Sequence, residues 1–398
     1  MKKTLAAVAV LGAFAGSALA ADVQLYGIVD TGVGYNHIDA DGFGQDADKF
    51  GMKSGQASGS RWGIKGTEDL GNGLTVGFIL ENGFTSDDGV DSEPMFNRES
   101  SLFIEGGFGK FAMGRIGSIN NGQSSWAKVG MISAFGTSDW GGYSAQVGNI
   151  MATAGQWDNM IAYQTPSFAG FKLYAQYSMG KKLSDKYDDG TGYVEKTWGD
   201  ENESTSDRYY AIGATYNNGP FAAYFAVDSM NYSSASLDTD GSLKFSDTDD
   251  SLTVTLGGSY DFEVVKVYLG AQYFDEVKSS GFGGVINNVK LGYADGVFNG
   301  KVKGYAVTLS ADAPLWGGKG MFGIGYTDAE SADSQDTTTA DVDLQRYVVS
   351  VGYDYPFSKR TDVYAVASWM QDSFEDKVSA KDGDPSAYTF YVGLRHRF

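Results

Sequence analysis

The 398-residue sequence has no cysteine, six prolines and two histidines. Without cysteine, neither disulfides nor thiolate metal sites can form. The two histidines, His37 in a long linker and His396 beside the C-terminus, lie in different settings and suggest no paired metal site. After the N-terminal segment there is no run of about 18 apolar residues, so no membrane-spanning helix is predicted. Few prolines suit long strands, because proline cannot donate a ladder hydrogen bond.

Basic residues are also in the minority, with 30 Lys and Arg against 50 Asp and Glu. Nucleic acid is therefore not an expected partner, since phosphate binding needs a basic face. The sequence contains no Gly-x-Ser-x-Gly elbow, and Gly109-Lys110 is followed by Phe111, which excludes a P-loop. We predict no catalytic residues, no metal and no cofactor.

The N-terminus has the three parts of a secretory signal peptide. Lys2 and Lys3 are basic, residues 5–14 are apolar, and residues 18–20 read Ala-Leu-Ala, a small-x-small cleavage site. We expect residues 1–20 to be removed and residues 21–398 to form a single domain.

Glycine and aromatic residues are abundant: there are 55 glycines, and 14% of the residues are aromatic. Aromatic and β-branched residues favour strands. Apolar residues recur at every second position, most clearly at the end of the chain, where residues 388, 390, 392 and 394 are Tyr, Phe, Val and Leu. This period predicts a strand with one apolar face, and similar segments recur to a total of about sixteen.

The segments are joined by linkers that alternate between short and long. The short ones carry turn residues, as in Asn72-Gly73 and Asn218-Gly219. The long ones are rich in Asp, Ser, Gly and Asn and hold most of the excess negative charge. Their expected bounds are 36–49, 84–95, 118–157, 180–206, 230–249, 276–300, 328–342 and 371–385.

Alternation alone fits either a soluble sandwich or a membrane barrel with its apolar face toward lipid. Three features favour the barrel: no linker divides the chain into domains, the linker lengths alternate, and aromatic residues such as Trp316, Tyr355 and Phe357 cluster at strand ends. We therefore predict an all-β fold, a sixteen-stranded antiparallel transmembrane β-barrel with short turns at one rim and long loops at the other.

Four segments carry a family resemblance. They are residues 23–27 (Val-Gln-Leu-Tyr-Gly), 59–71 (Gly-Ser-Arg-Trp-Gly-Ile-Lys-Gly-Thr-Glu-Asp-Leu-Gly), 358–364 (Ser-Lys-Arg-Thr-Asp-Val-Tyr) and 392–398 (Val-Gly-Leu-Arg-His-Arg-Phe). The chain resembles the Gram-negative general diffusion porins. The resemblance implies an outer-membrane homotrimer, in contact with outer-membrane lipid and lipopolysaccharide. It also implies a water-filled channel for passive diffusion of ions and small hydrophilic solutes, and not an enzyme.

The resemblance further implies that the third long loop, residues 118–157, folds into the barrel and narrows it. Independently, this linker is the longest and the least charged, with Lys128 and Asp139 as its only charges. A loop in external water would more often carry the charge of its neighbours, which also favours an inward position.

The family sets basic wall residues against acidic loop residues at the constriction. Arg61 matches by motif, Arg98 by position in the fourth strand, and Glu81 stands where the family places a lumenal carboxylate. Lys65 shares the face of Arg61, and Arg115 ends the fifth strand next to the loop. The alternation is irregular at Arg98, because an inward Arg98 would turn its neighbour Glu99 toward lipid; a bulge or a position near the rim would resolve this.

Several alternatives stay open at this stage. A substrate-specific channel, for example for sugars, would need an aromatic track, for which Tyr26, Tyr174, Tyr224 and Tyr268 are candidates. A non-porous adhesin or structural barrel would need bulky inward residues. The charge preference is open as well: the acidic loops favour cations, and the basic wall favours anions. The family often has a further Arg before the sixth strand, where this chain has residues 156–158, Gln-Trp-Asp.

Overall fold

The computed structural model describes residues 22–41, 45–278, 300–334, 341–378 and 380–398. The expected signal peptide, residues 1–20, lies outside them. Within the described ranges, no helix is long and apolar enough to cross a membrane.

Nearly all regular structure is β-strand. The first eight barrel strands are β1 (Asp22–Asp39), β2 in two parts (Ala47–Ser54 and Arg61–Gly71), β3 (Leu74–Gly83), β4 (Glu99–Gly106), β5 (Gly109–Gly117), β6 (Gln156–Gln164), β7 (Phe171–Lys181) and β8 (Asp207–Asn218). The second eight are β9 (Phe221–Asn231), β10 (Leu252–Asp261), β11 (Lys266–Lys278), β12 (Lys301–Leu315), β13 (Gly318–Ser331), β14 (Val342–Pro356), β15 (Thr361–Asp376) and β16 (Ser386–Arg397).

Each strand pairs antiparallel with the next, and the first strand pairs with the last. The closing seam between β1 and β16 runs from Ile28↔Arg397 to Asp39↔Ser386. Closure leaves no strand edge unpaired, which a sheet in hydrocarbon requires. The predicted sixteen-stranded antiparallel barrel is confirmed.

The two faces of the wall have opposite polarity. Outward side chains such as Leu269, Leu309 and Phe322 are exposed, at 61%, 43% and 47%. Inward ones such as Thr255 and Thr308 are buried. The apolar rows do not pack against one another, so the soluble sandwich is excluded and the apolar face is the one available to lipid.

Aromatic side chains form bands near both ends of the wall. Toward the long-loop end, the rings of Tyr326 and Tyr347 lie 5.2 Å apart. At the short-turn end, Tyr216 lies 4.4 Å from Phe171, and Tyr355 lies 5.7 Å from Phe357. Such bands are typical of membrane interfaces.

The long loops contain more structure than the linkers predicted. In the described parts of these loops there are two hairpins, Leu183–Asp188 with Tyr193–Trp198 and Ala235–Leu237 with Leu243–Phe245. A short strand, Lys381–Gly383, extends the sheet at β15. The first long linker was predicted as 36–49, but β1 continues to Asp39 and β2 begins at Ala47. Parts of the linkers predicted at 36–49, 276–300, 328–342 and 371–385 lie outside the described residues.

Candidate pore constriction

The connection between β5 and β6, residues 118–155, lies inside the barrel and is called the inner loop here. It contains a short 3-10 turn, Val129–Ile132, and one helical turn, Val147–Ile150. Its apolar side chains Ile132, Phe135 and Ile150 are buried against wall glycines. A Cβ added at Gly325 would lie 2.2 Å from Ile150 Cδ1, so only glycine leaves room for the loop at this wall position.

Polar wall residues complete the attachment. Gln176 accepts from Ile119 N at 2.7 Å, Gln272 accepts from Ala152 N at 2.8 Å and donates to Ala152 O at 2.9 Å, and Ser350 Oγ accepts from Ala145 N at 2.8 Å. These bonds satisfy backbone groups that a loop inside a barrel would otherwise leave unpaired.

A buried ion pair holds the helical turn. The Arg346 guanidinium donates to both carboxylate oxygens of Asp372, at 2.6 and 3.0 Å, and to the carbonyl of Asn149 at 2.8 Å. Arg346 and Asp372 are fully buried, so their bidentate bonding offsets the desolvation of two charges. The inner loop is thus fixed to the wall at several strands.

A polar cavity of about 390 Å³, called the opening here, remains between the inner loop and the side of the wall that β2, β3 and β4 form. Its lining comprises residues 54–55, 58–61, 83–85, 92 and 97–98 of the wall side and residues 122–123 and 137–139 of the inner loop. The lining is polar, as passage of hydrated solutes requires.

Arg61, Glu81 and Arg98 come together at this opening. Arg98 Nε lies 2.7 Å from Glu81 Oε1, Arg61 Nε lies 3.5 Å from Glu81 Oε2, and Tyr26 Oη donates to Glu81 at 3.0 Å. Two guanidinium groups therefore share one carboxylate. Arg98 also donates to Gln123 of the inner loop at 3.2 Å, which links the wall to the loop.

The irregular alternation at Arg98 has a simple cause. Glu99 begins β4, and its carboxylate accepts from Ser125 N and Oγ of the inner loop, both at 2.9 Å. It therefore faces the lumen and not lipid. Arg98 precedes the strand, where strict alternation does not hold, and it reaches inward as well.

Asp139 lines the same opening from the inner loop. Its side chain is in contact with the opening, but protein surrounds it on most sides, and this burial raises its pKa, while the nearby Lys53 acts in the opposite direction. Lys53 Nζ donates to Gly141 O at 3.1 Å. Three cationic groups, Arg61, Arg98 and Lys53, and two carboxylates, Glu81 and Asp139, thus lie at or beside the opening and are called the narrow ring here. Glu99 adds a third carboxylate next to Glu81, where it binds the inner loop.

The other expected site residues lie outside this ring. Lys65 shares the inward face of β2 closer to the short turns, with Nζ 5.1 Å from the centre of the Tyr26 ring. Arg115 does not join Arg61 and Arg98: it is paired opposite Ser100, donates to Asn97 O at 2.8 Å and forms an ion pair with Asp158.

Lys128 lies near two wall lysines, Lys110 and Lys172, and this proximity was not predicted from the sequence. Its Nζ lies 5.7 Å from the Tyr174 ring, and the charges of Lys172 and Lys110 act on it. Burial, more than these neighbours, lowers the pKa of Lys128 to about 8. Lys110 and Lys172 were missed because each is a single charge in an ordinary strand; the signal that could have found them is their inward parity, shared with Ala112 and Tyr174.

Residues 156–158, Gln-Trp-Asp, stand where the family often has another Arg, and the first of them is Gln156. Its Nε2 donates to Gln123 Oε1 at 3.0 Å, so Gln123 connects it with Arg98. Among the four tyrosines of the possible aromatic track, Tyr224 is buried and directs its hydroxyl to Ile119 O at 3.4 Å, and Tyr268 donates to Asp312 at 2.7 Å. The inner loop therefore covers part of that track.

Comparison with known proteins agrees with this architecture. The family model for Gram-negative porins matches residues 6–374. An outer membrane porin protein of Bordetella pertussis is 35% identical over 431 residues, covering 100% of both chains. The outer membrane porin protein 32 of Delftia acidovorans is 29% identical over 414 residues, also covering 100% of both.

Solved structures show the same fold. An anion-selective porin from Comamonas acidovorans superposes with a TM-score of 0.63 and 24% identity, over 95% of this chain and 100% of that chain. A trimer form of OmpT from Vibrio cholerae gives 0.57 and 15%, over 95% and 100%. The chain belongs to the Gram-negative porin family: it is a multi-pass β-barrel of the outer membrane that forms a channel for passive diffusion.

Proposed function

We propose that this porin is a general diffusion channel for ions and small hydrophilic solutes with a moderate preference for anions. The observation that carries the proposal is the sharing of one carboxylate, Glu81, by two arginines, Arg61 and Arg98, at the narrow opening. In a narrow channel with low-dielectric walls, such an excess of positive charge acts at short range on every passing ion.

The acidic external loops would favour cations, but their influence is weaker at the constriction. Charge in bulk water is screened within about 8–10 Å at physiological salt, whereas charge at the narrow ring is met directly. Lys110, Lys128 and Lys172 extend the basic lining beyond the ring, which supports anion passage. The anion selectivity named for the Comamonas acidovorans porin agrees with this direction.

The experiment is a reversal-potential measurement in a planar bilayer under a KCl gradient. We expect Arg61→Gln and Arg98→Gln, singly and together, to shift the preference toward cations, because each removes one positive charge beside Glu81. Arg360→Gln is the control, since Arg360 is exposed in the turn between β14 and β15. An unchanged reversal potential in the double variant would remove the two arginines from the selectivity site.

We further propose that the mature protein begins near Ala21 after loss of residues 1–20, and that it assembles as a homotrimer in contact with lipid and lipopolysaccharide. The family resemblance and the trimer form of the Vibrio cholerae neighbour support the assembly. Cross-linking of the purified protein in detergent should give a trimer mass, and N-terminal sequencing should begin near residue 21. A monomer mass would contradict the assembly proposal alone.

Four further residues contribute to the charge of the lumen to different degrees. They are Lys65 and Arg115 of the wall and Lys128 and Asp139 of the inner loop. Asp139 lines the opening from the inner loop, and Lys65 and Lys128 add positive charge beyond it on the short-turn side. Arg115 contributes least, because Asp158 neutralises it outside the ring.

A further inference from the structure

Three lysines from three different elements meet at one patch of the lumenal wall. Lys110 of β5 is paired with Gln164 of β6, and Gln164 with Tyr174 of β7, so Lys110 and Tyr174 stand at one level on either side of Gln164. Lys172 precedes Tyr174 by two residues and shares its inward face. From the inner loop, Lys128 Nζ lies 5.7 Å from the centre of the Tyr174 ring. The three lysines and Gln164 are called the lysine site here.

The ammonium groups of this site retain unused hydrogen-bond donors. Lys128 Nζ donates to the carbonyls of Ser125, at 3.0 Å, and Ala127, at 3.3 Å, although an ammonium has three N–H groups. Lys110 Nζ lies 3.6 Å from the centre of the Phe103 ring. Within the part of the chain that the structure describes, none of the three ammonium groups has a carboxylate oxygen within 4.0 Å.

Two carboxylates lie near the lysine site and neutralise it only in part. Glu105 is paired directly opposite Lys110, and the charge of Glu99 acts on both Lys110 and Lys128. The Glu99 carboxylate already accepts from Ser125 N and Oγ, both at 2.9 Å. Three half-buried cations thus share two carboxylates, and an anion from solution would reduce the cost of their desolvation.

We infer that the lysine site binds a phosphate group, either as inorganic phosphate or as the head of a small phosphate monoester. Its two charges and its several acceptor oxygens can be shared among ammonium groups from β5, β7 and the inner loop, and the amide of Gln164 adds a neutral donor. A chloride ion, with one charge, matches this arrangement less well. The inference deepens the proposed function and rests on it in one respect, since the solute must reach the site through an open lumen.

The first test measures the chloride current through many channels in a planar bilayer while potassium phosphate replaces part of the KCl at constant ionic strength. We expect the current to fall to a plateau, because a bound phosphate group obstructs the passage of chloride. Glycerol 3-phosphate forms the second arm: block by both solutes assigns the phosphate group as the ligand, and block by inorganic phosphate alone limits the site to the free anion. Methanesulfonate, which is tetrahedral but singly charged, is the control and should cause no saturable block.

Wall variants then locate the block. Lys110→Gln and Lys172→Gln should each raise the phosphate concentration for half-maximal block about three- to tenfold, because each removes one charged donor. Glu105→Gln should lower it, since it removes a competing negative charge. Lys65→Gln is the matched control: it removes the same charge from an inward lysine on the short-turn side, but outside the lysine site, and should keep the parental value.

A binding measurement on the protein in detergent does not depend on conduction. Acetylation of lysines by an activated ester, followed by mass spectrometry, reports the accessibility of each amine. The pKa of Lys128, lowered to about 8, leaves part of this amine neutral and reactive near neutral pH. We expect phosphate to slow acetylation of Lys110, Lys128 and Lys172 about threefold or more, and to leave Lys359, exposed in the turn between β14 and β15, unaffected.

The outcomes separate the two claims. If Lys65→Gln weakens the block as much as Lys110→Gln and Lys172→Gln do, phosphate responds only to the net charge of the lumen and the inference fails. A parent that conducts chloride but shows neither saturable block nor protection from acetylation also overturns it, and leaves the diffusion channel standing. A parent protein that forms no channel would instead overturn the proposed function.

Discussion

At the residue scale, the inner loop carries a lysine whose charge depends on pH near neutrality. Lys128 donates to the carbonyl of Ser125 at 3.0 Å but lies in a half-buried position beside Tyr174. Burial disfavours its charged form, and the positive charges of Lys172 and Lys110 act in the same direction, while Glu99 opposes them. With a pKa of about 8, Lys128 is partly deprotonated in mildly alkaline solution.

We therefore expect the anion preference to fall as the pH rises from about 7 to about 9, since deprotonation of Lys128 removes a positive charge from the lumen. The reversal potential under a KCl gradient, measured across this range, checks the expectation. Lys128→Gln should show the reduced preference already at neutral pH and little change above it. The expectation is contradicted if the reversal potential of the parent stays constant with pH while that of Lys128→Gln differs from it at every pH. The pKa of Lys128 would then lie outside this range.

The site residues differ in how far the sequence could predict them. Glu81 follows from strand parity, because it lies within a regular strand, and Arg61 agrees with the alternation of the segment that it begins. Arg98 and Glu99 do not, since the boundary of β4 falls between them and parity does not fix a residue before a strand. Asp139 could be placed only by resemblance, because nothing in a sequence states where a 38-residue loop returns to the wall.

At the element scale, large apolar side chains of the inner loop fill the spaces that glycines leave in the wall. Ile132 occupies the space left by Gly257 and Gly270, and Ile150 that left by Gly325. In a strand, glycine gives up side-chain packing, so its presence at these places is explained by the close approach of a second segment. The position of the loop is therefore encoded in the wall as well as in the loop.

This fit predicts the effect of one methyl group. Gly325→Ala places a Cβ within 2.2 Å of Ile150 Cδ1, which forces the helical turn away from the wall. We expect a loss of about 1–3 kcal/mol in the free energy of unfolding and a noisier open-channel current. Urea unfolding in detergent micelles and single-channel recording check this.

The matched control is Gly51→Ala in β2, where nothing lies within 4 Å of the added Cβ. It should have parental stability. Combination of Gly325→Ala with Ile150→Ala, which removes the clashing atoms, should restore a quiet current; persistent noise in the double variant would show that the methyl group does not act through Ile150.

The elements themselves were largely predictable, and the exceptions have physical causes. About sixteen barrel strands follow from alternation because one face of most of them is mainly apolar. The interruption of β2 was missed, since residues 55–60 are small and polar and resemble a linker. The hairpins at 183–198 and 235–245 were missed because external strands face water on both sides and show no alternation.

At the scale of the whole molecule, stability depends on an inverted arrangement of polarity. Exposed Leu, Val and Phe cover the outside, and the inside holds buried Thr, Ser, Tyr and ion pairs such as Arg346–Asp372. In water this outer surface would aggregate; in a bilayer it matches the hydrocarbon. The cost of a polar substitution should therefore depend on depth in the membrane.

Strand β12 provides that test with two outward leucines. Leu309 lies in the middle of the strand and is 43% exposed, and Leu315 lies at its end next to the short turn and is 40% exposed. Leu309→Arg should lower the free energy of unfolding from liposomes by about 2–4 kcal/mol, and Leu315→Arg by about 0–1 kcal/mol. Urea titration of tryptophan fluorescence measures both. Since the two residues have the same chemistry and similar exposure, equal losses would mean that the apolar face does not contact a bilayer at the depth that the barrel implies.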